Sequence, residues 1–278
     1  MNALKKTVLI LIVLIFVSLG AGILSTQTPL FQAAIGNCAK ADSDAGSTPI
    51  TQPNAGSQTT MSKTEMQQFL YDNAASRTIS KKDGIDYVTN STSTLVLVNK
   101  QRELDSSYVP PDLVKAPVEF SFCGSSPKQE MRKVAADALG QLFASAKQEG
   151  IELKAVSGYR SYQSQRAIFN AYARTHGEEE ANTFSAHPGQ SEHQTGLAMD
   201  VSSASVHYRL EDRYGDTKEG KWLKAHAAEF GFIVRYEKGK ETETGYMYEP
   251  WHVRYVGVDP AKEIQKSGIT LEVYLARF

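Results

Sequence analysis

An α+β fold is predicted for this chain of 278 residues from three observations. Met131, Val134, Ala135, Ala138, Leu139, Leu142 and Phe143 recur at a helical period. Strand-like alternation is confined to four short stretches, near 153–157, 197–202, 232–236 and 251–256. Helices and strands do not alternate regularly enough for a parallel α/β sheet. The body from about 93 to 278 is one domain by length, long enough for a core of its own.

Taken in order, the N-terminal part reads as an export and tethering device. Lys5 and Lys6 precede an uncharged apolar run over 7–24, eighteen residues, between a long signal-peptide core and a short membrane span. Basic residues on its N-terminal side predict a cytoplasmic N-terminus and an exported body. No small-x-small cleavage site follows directly, and Ala39-Lys40-Ala41 is distant. An uncleaved anchor is therefore expected, with secretion after signal cleavage as the alternative. Asn37 before Cys38 makes a poor lipoprotein signal. The segments divide as 1–38, cytoplasmic stub and anchor or signal; 39–92, flexible stalk and a further N-terminal segment; and 93–278, the main domain. Ser, Thr, Gly, Pro, Asn and Gln dominate from 39 to about 60, the composition of a flexible linker. Met66, Phe69 and Leu70 suggest a short amphipathic helix, and Lys81-Lys82-Asp83-Gly84 a turn. Cys123 could pair only with Cys38 in the stalk, so a disulfide staple is not expected.

The chemistry concentrates further on. Leu153 to Ser157 suits a strand, Gly158 a turn and Ser161 a helix N-cap. The helix should run to about Thr175, with Ile168 and Tyr172 on its apolar side. Arg160 then sits at a strand-to-helix junction, able to offer a fork of donors to a carbonyl oxygen or a substrate carboxylate. Next comes SEHQTGLAMD, 191–200. Ligands of one zinc ion lie only ~3 Å apart, so His193 and Asp200, seven positions apart, could meet only if the chain turned between them. Gln194-Thr195-Gly196 supplies that turn. Beyond it Leu197, Met199 and Val201 face one way, and Ala198, Asp200 and Ser202 the other. In the last stretch Pro250 favours an extended chain through Glu249. Trp251, Val253 and Tyr255 share one face, while His252 and Arg254 project from the other. His252 could thus reach a metal from a neighbouring strand, and Glu249 could approach its water without being a ligand. Taken singly, each spacing is unspecific. His226 reads as a partly buried helix residue, and His187, beside Pro188-Gly189, as a loop-shaping one.

Three motifs in order are more specific. SGYRSYQSQ (157–165), SEHQTGLAMD (191–200) and YEPWHVRYVG (248–257) together resemble the VanY-type D-alanyl-D-alanine carboxypeptidases, zinc peptidases of bacterial cell walls. The likeness extends upstream to LVLVNKQREL (95–104) and YVPPDLV (108–114). It implies a small antiparallel sheet with packed helices, the fold of the zinc D,D-peptidases. It also implies zinc ligands at His193, Asp200 and His252, a catalytic base at Glu249, Arg160 as stabiliser of the scissile carbonyl oxygen, and substrate-pocket residues at Gln165 and Ser191.

The expected activity is removal of the terminal D-Ala from peptidoglycan stem peptides or lipid-linked precursors ending in D-Ala-D-Ala, with Zn2+ as cofactor. Alternatives are a D,D-dipeptidase, an endopeptidase, or a non-catalytic wall-binding module on the same fold, against which an intact Glu249 argues. A formal charge of −1 and the lack of a Lys/Arg-rich run speak against a nucleic-acid partner.

Overall fold

The computed structural model describes residues 61–278. The apolar run over 7–24, the linker to residue 60 and Cys38 lie outside those residues, so the anchor, cleavage and stalk expectations are not addressed by it. Among the described residues no helix is long and apolar enough to cross a membrane.

The segment that opens the described chain is well formed. Helix α1 (Lys63–Asp72) starts at Ser62, whose side chain accepts from the Glu65 amide while Glu65 reaches back, a reciprocal cap. Strands β1 (Ile79–Lys82) and β2 (Ile85–Val88) form a hairpin. Its two turn residues, Asp83 and Gly84, both take positive φ, 54° and 81°, which matches the right-handed twist of the flanking strands. β2 also pairs in parallel with the short β3 (Arg102–Glu103).

β4 (Leu113–Lys115) and β5 (Glu130–Arg132) make a second small sheet, after which α2 (Lys133–Gln148) buries Ala135, Ala138, Leu139, Leu142 and Ala146 along one stripe. Burial of each of those leucines is worth roughly 1.5–3 kcal/mol. Met131 falls outside this helix because it is paired with Val114 in β5, and Val134 points outward, 37% exposed.

The four stretches with strand alternation become β6 (Lys154–Ser157), β7 (Ala198–Ser202), β8 (Phe232–Tyr236) and β9 (Glu249–Tyr255). They pair antiparallel throughout, in the spatial order β6-β7-β9-β8. Between β6 and β7 run α3 (Tyr162–His176) and α4 (Glu178–Phe184). Ser161 caps α3 by accepting from the Ser164 amide. The buried face of α3 is Gln165 and Phe169; Ile168 is half-buried and Tyr172 exposed, a correction to the expected apolar side. The face turns because the Gln165 amide is bonded inward to the Ala186 carbonyl at 2.7 Å. α5 (Lys218–His226) and the single-turn α6 (Glu241–Thr244) flank β8, and α7 (Val258–Ser267) and α8 (Leu271–Leu275) close the chain.

One face of β7 and β9 meets α2. Leu197, Met199, Val201, Val253 and Tyr255 join Leu139 and Leu142 in the main core. A second apolar cluster gathers Leu70 from α1, Ile233, Ile264, Leu271 and Leu275, so the first described helix packs against the last ones. Cys123 is disulfide-bonded, which corrects the expectation of a domain without a staple.

Candidate metal centre and active site

The site lies on the other face of β7 and β9. Their register sets Asp200 directly opposite His252, so one antiparallel pair brings a carboxylate and an imidazole together. His193 comes from a 3₁₀ turn, Glu192–Thr195, that ends at Gly196. Gly196 has φ 68°, a left-handed conformation that lets the chain reverse into β7. Gly158 is required for a different reason. A Cβ there would lie 2.5 Å from the Glu130 carbonyl oxygen. With that close approach, the Gly158 carbonyl sits 2.8 Å from His193 Nδ1.

These contacts fix the donor set. His193 donates from Nδ1 to Gly158, leaving the Nε2 lone pair facing Asp200 Oδ2 at 3.5 Å. His252 Nδ1 faces Asp200 Oδ1 at 3.1 Å, and its Nε2 faces Glu192 Oε2 at 3.3 Å. One ligand atom from each of His193, Asp200 and His252 lies within 4.8 Å of the others, and all three residues are buried. Two bonds of ~2.0–2.2 Å at a tetrahedral angle need donors ~3.3–3.5 Å apart. The separations of Asp200 from the two imidazoles, 3.5 and 3.1 Å, and the two-imidazole, one-carboxylate chemistry therefore fit a zinc ion.

The electrostatics say the same. Burial pushes His193 down to about 3, so it is a neutral imidazole with a free lone pair. For His252 burial acts downward too, but hydrogen bonds to Asp200 and Glu192 outweigh it and raise the ring to about 9. The two carboxylates face opposite nitrogens of the ring, and the position between Nδ1 and Asp200 is the one suited to a cation. Burial, assisted by Asp200 and Glu192, pushes Glu249 up to about 8. Its Oε2 is 4.0 Å from His252 Nδ1 and its side chain is 13% exposed, at the mouth of β9. A divalent cation beside it would draw that value back towards the range of a working base.

Arg160 approaches from the junction of β6 and α3. Its Nη1 donates to Gln165 Oε1 at 2.8 Å, and its Nη2 lies 3.4 Å from Ser157 Oγ. Its Nε is buried and unpartnered, so the fork keeps donor capacity for a further acceptor. Gln165 is 1% exposed and engaged at both ends of its amide. Through its bond with Nη1 it orients the Arg160 guanidinium. Ser191 is buried beside Glu192 at the head of the 3₁₀ turn. His226 stacks on Trp222 and bonds Glu229, and His187 packs on Phe169, both away from the three-residue cluster.

Glu192 was not singled out from sequence. It is wholly buried, and its Oε1 accepts from Arg235 Nε at 2.8 Å and Arg254 Nη1 at 2.7 Å. Against a burial effect that would raise it, those two guanidiniums hold its carboxyl well below the usual range. A signal existed: Arg235 in FIVRY and Arg254 in PWHVRY are charges inside apolar strands, and buried charges need partners.

Comparison with known proteins identifies the family. Residues 128–258 match the family VanY, D-alanyl-D-alanine carboxypeptidase. The YodJ protein of Bacillus subtilis (strain 168) is 48% identical over 216 residues, which cover 78% of this chain and 79% of YodJ. The solved structure of the LD-carboxypeptidase LdcB superposes with a TM-score of 0.69 at 52% identity, covering 70% of this chain and 92% of LdcB. A variant of the vancomycin-resistance D,D-pentapeptidase VanY in complex with Zn(II) superposes with a TM-score of 0.55 at 31% identity, covering 66% of this chain and 98% of that one. The chain belongs to the VanY family of carboxypeptidases, and its fold of helices around small sheets is that of the VanY D,D-peptidases.

Proposed function

We propose that this VanY-family peptidase is a zinc-dependent carboxypeptidase that removes the terminal D-Ala from peptidoglycan stems or precursors ending in D-Ala-D-Ala. The observation that carries the zinc reading is the facing of His193 Nε2, Asp200 and His252 Nδ1, with each imidazole's other nitrogen already committed to an oxygen. The zinc complex of VanY supports it. A zinc ion held there would supply a water acidified towards pKa ~7 and a positive charge for the scissile carbonyl.

The chain's own residues do the rest. Glu249 takes the proton from the attacking water and passes it to the departing amine. Arg160, held by Gln165, donates to the carbonyl oxygen as it becomes negative. Ser191 lies beside the ligand turn and borders the substrate. One carboxylate and two neutral imidazoles leave a divalent ion with a net charge of about +1, which suits an anionic peptide terminus. With the apolar run over 7–24 as an uncleaved anchor, the domain would act outside the membrane, within reach of nascent wall and lipid-linked precursors.

The likeness to LdcB favours a second reading, in which the bond cut is an L-D bond of a tetrapeptide stem. Zinc-loaded protein incubated separately with a pentapeptide ending in D-Ala-D-Ala and with the derived tetrapeptide decides between them. Free D-Ala from the pentapeptide, with the tetrapeptide left intact, is the expected result. Release from the tetrapeptide alone transfers the assignment to the L-D bond. Cleavage of free D-Ala-D-Ala as fast as of the pentapeptide would indicate a dipeptidase.

A further inference from the structure

Four charged side chains from elements far apart in sequence are joined by hydrogen bonds next to the candidate metal site. Glu192 sits in the ligand turn, Arg254 on β9, Arg235 on β8 and Glu272 on α8. Arg235 reaches both ways: Nε bonds Glu192 Oε1 at 2.8 Å, and its two terminal nitrogens grip Glu272 at 2.8 and 2.6 Å. Arg254 bonds the same Glu192 oxygen at 2.7 Å and anchors itself on the carbonyls of Thr94 and Val96, at 3.0 and 2.7 Å. Side chains of Glu192, Arg235 and Arg254 are 0% exposed, and that of Glu272 is 15% exposed.

Two negative and two positive charges cancel in this chain, which satisfies a buried ionic group electrostatically. The arrangement also divides the work of the two Glu192 oxygens. Oε1 is taken by both guanidiniums, and Oε2 is left to face His252 Nε2 at 3.3 Å. An imidazole that donates from Nε2 must present its lone pair at Nδ1, the nitrogen facing Asp200.

We propose that Glu192 is a positioning residue for the metal centre: it fixes His252 with Nε2–H inward and Nδ1 free to ligate, and Arg235 and Glu272 tie that setting to the C-terminal helix α8. The proposal rests on the zinc reading above. It extends the site to Glu272, fourteen positions beyond the end of the family match at residue 258. Charge alone does not account for the role. A carboxylate accepts from His252, whereas an amide of the same shape, with its oxygen kept by Arg235 and Arg254, would turn an N–H towards Nε2. His252 would then have to accept there and carry its proton on Nδ1, where it blocks the ligand position.

Zinc affinity by chelator competition, on wild type, Glu192→Gln and Glu272→Gln, tests this without reference to turnover. Glu192→Gln should weaken zinc binding about 10–100-fold, and Glu272→Gln should weaken it less. Equal affinity in wild type and Glu192→Gln would overturn the proposal and leave the zinc reading standing. A wild type that binds no zinc fails the zinc reading itself, and the proposal with it. Because a buried substitution can prevent folding, nitrogen-15 NMR of the histidines in zinc-loaded wild type gives an independent result. A metal-shifted Nδ1 and a slowly exchanging Nε2–H on His252 are expected. Metal on Nε2, or no protected Nε2–H, would refute the assignment.

Discussion

The two faces of β7 and β9 share a backbone and have opposite contents. On one, Leu197, Met199, Val201, Val253 and Tyr255 pack against α2 in an apolar core. On the other, Asp200, His252 and Arg254 are equally buried, yet every one is ionic or polar. The first face is held by non-directional burial and tolerates changes of similar volume. The second is held by directed contacts among groups pushed in opposite directions, with His193 down to about 3 and His252 and Glu249 up to about 9 and 8. Titratable groups driven apart in this way mark a site that does chemistry. The apolar face sets the spacing of the strands, and the polar face uses that spacing.

Perturbing one face at a time should give separable losses. The largest is expected from Glu249→Gln, which should keep its metal and lose kcat by several orders of magnitude, since an amide cannot accept the proton. Metal analysis alongside single-turnover kinetics checks it, and loss of the metal would make Glu249 a ligand instead. Removing a ligand, His252→Ala, should abolish most zinc uptake, read as metal per chain after dialysis. Full occupancy in that variant would show that the ligand set is wrong. Arg160→Met should lower kcat by about 10²–10³, the usual cost of one oxyanion donor, with zinc content unchanged.

The apolar face should behave otherwise. Leu197→Ala should cost about 2–5 kcal/mol of stability by opening a cavity, measured by denaturant unfolding, while the zinc affinity of the folded fraction stays near wild type. A large loss of affinity there would mean that the two faces are not separable.

The smallest effect expected is a pH dependence. In the metal-free protein His252 and Glu249 hold protons up to about 9 and about 8, against ordinary values of 6.5 and 4.5. The folded state thus binds more protons than the unfolded state, and stability must fall as pH rises through that range. His193, depressed to about 3 from 6.5, acts oppositely and only at lower pH. Thermal scans of metal-free protein should therefore show Tm falling between pH 6.5 and 9. Zinc-loaded protein should show little of this fall and should release protons on loading. An unchanged or rising Tm in the metal-free scans would contradict the charge states assigned to His252 and Glu249.

Much of this molecule is written locally. Alternation located β6, β7, β8 and β9, because side chains on a strand change face at every residue and one face had to be apolar. Ser161 announced the start of α3, and Asp83-Gly84 a tight turn, since both act on backbone groups within three residues. The three motifs made His193, Asp200, His252, Glu249 and Arg160 legible as a group. Their meeting follows from a strand register, Asp200 against His252, that the paired apolar faces impose.

What only the tertiary structure decided has a common physical character: it is a contact between groups with no local relation. Gln165 is bonded to Arg160 and to the Ala186 carbonyl, 21 positions along the chain, and that second bond sets the turn of α3. Tyr172 looked apolar-facing and is exposed for the same reason. Glu192 reads as an ordinary acidic neighbour of His193 until Arg235 and Arg254, 43 and 62 positions away, are brought onto it. The sequence by itself determined which side chains could do the chemistry, since their types and local spacing are written in it. Folding decided which lone pair faces inward, because hydrogen-bond direction depends on neighbours that only the packed sheet and α8 supply.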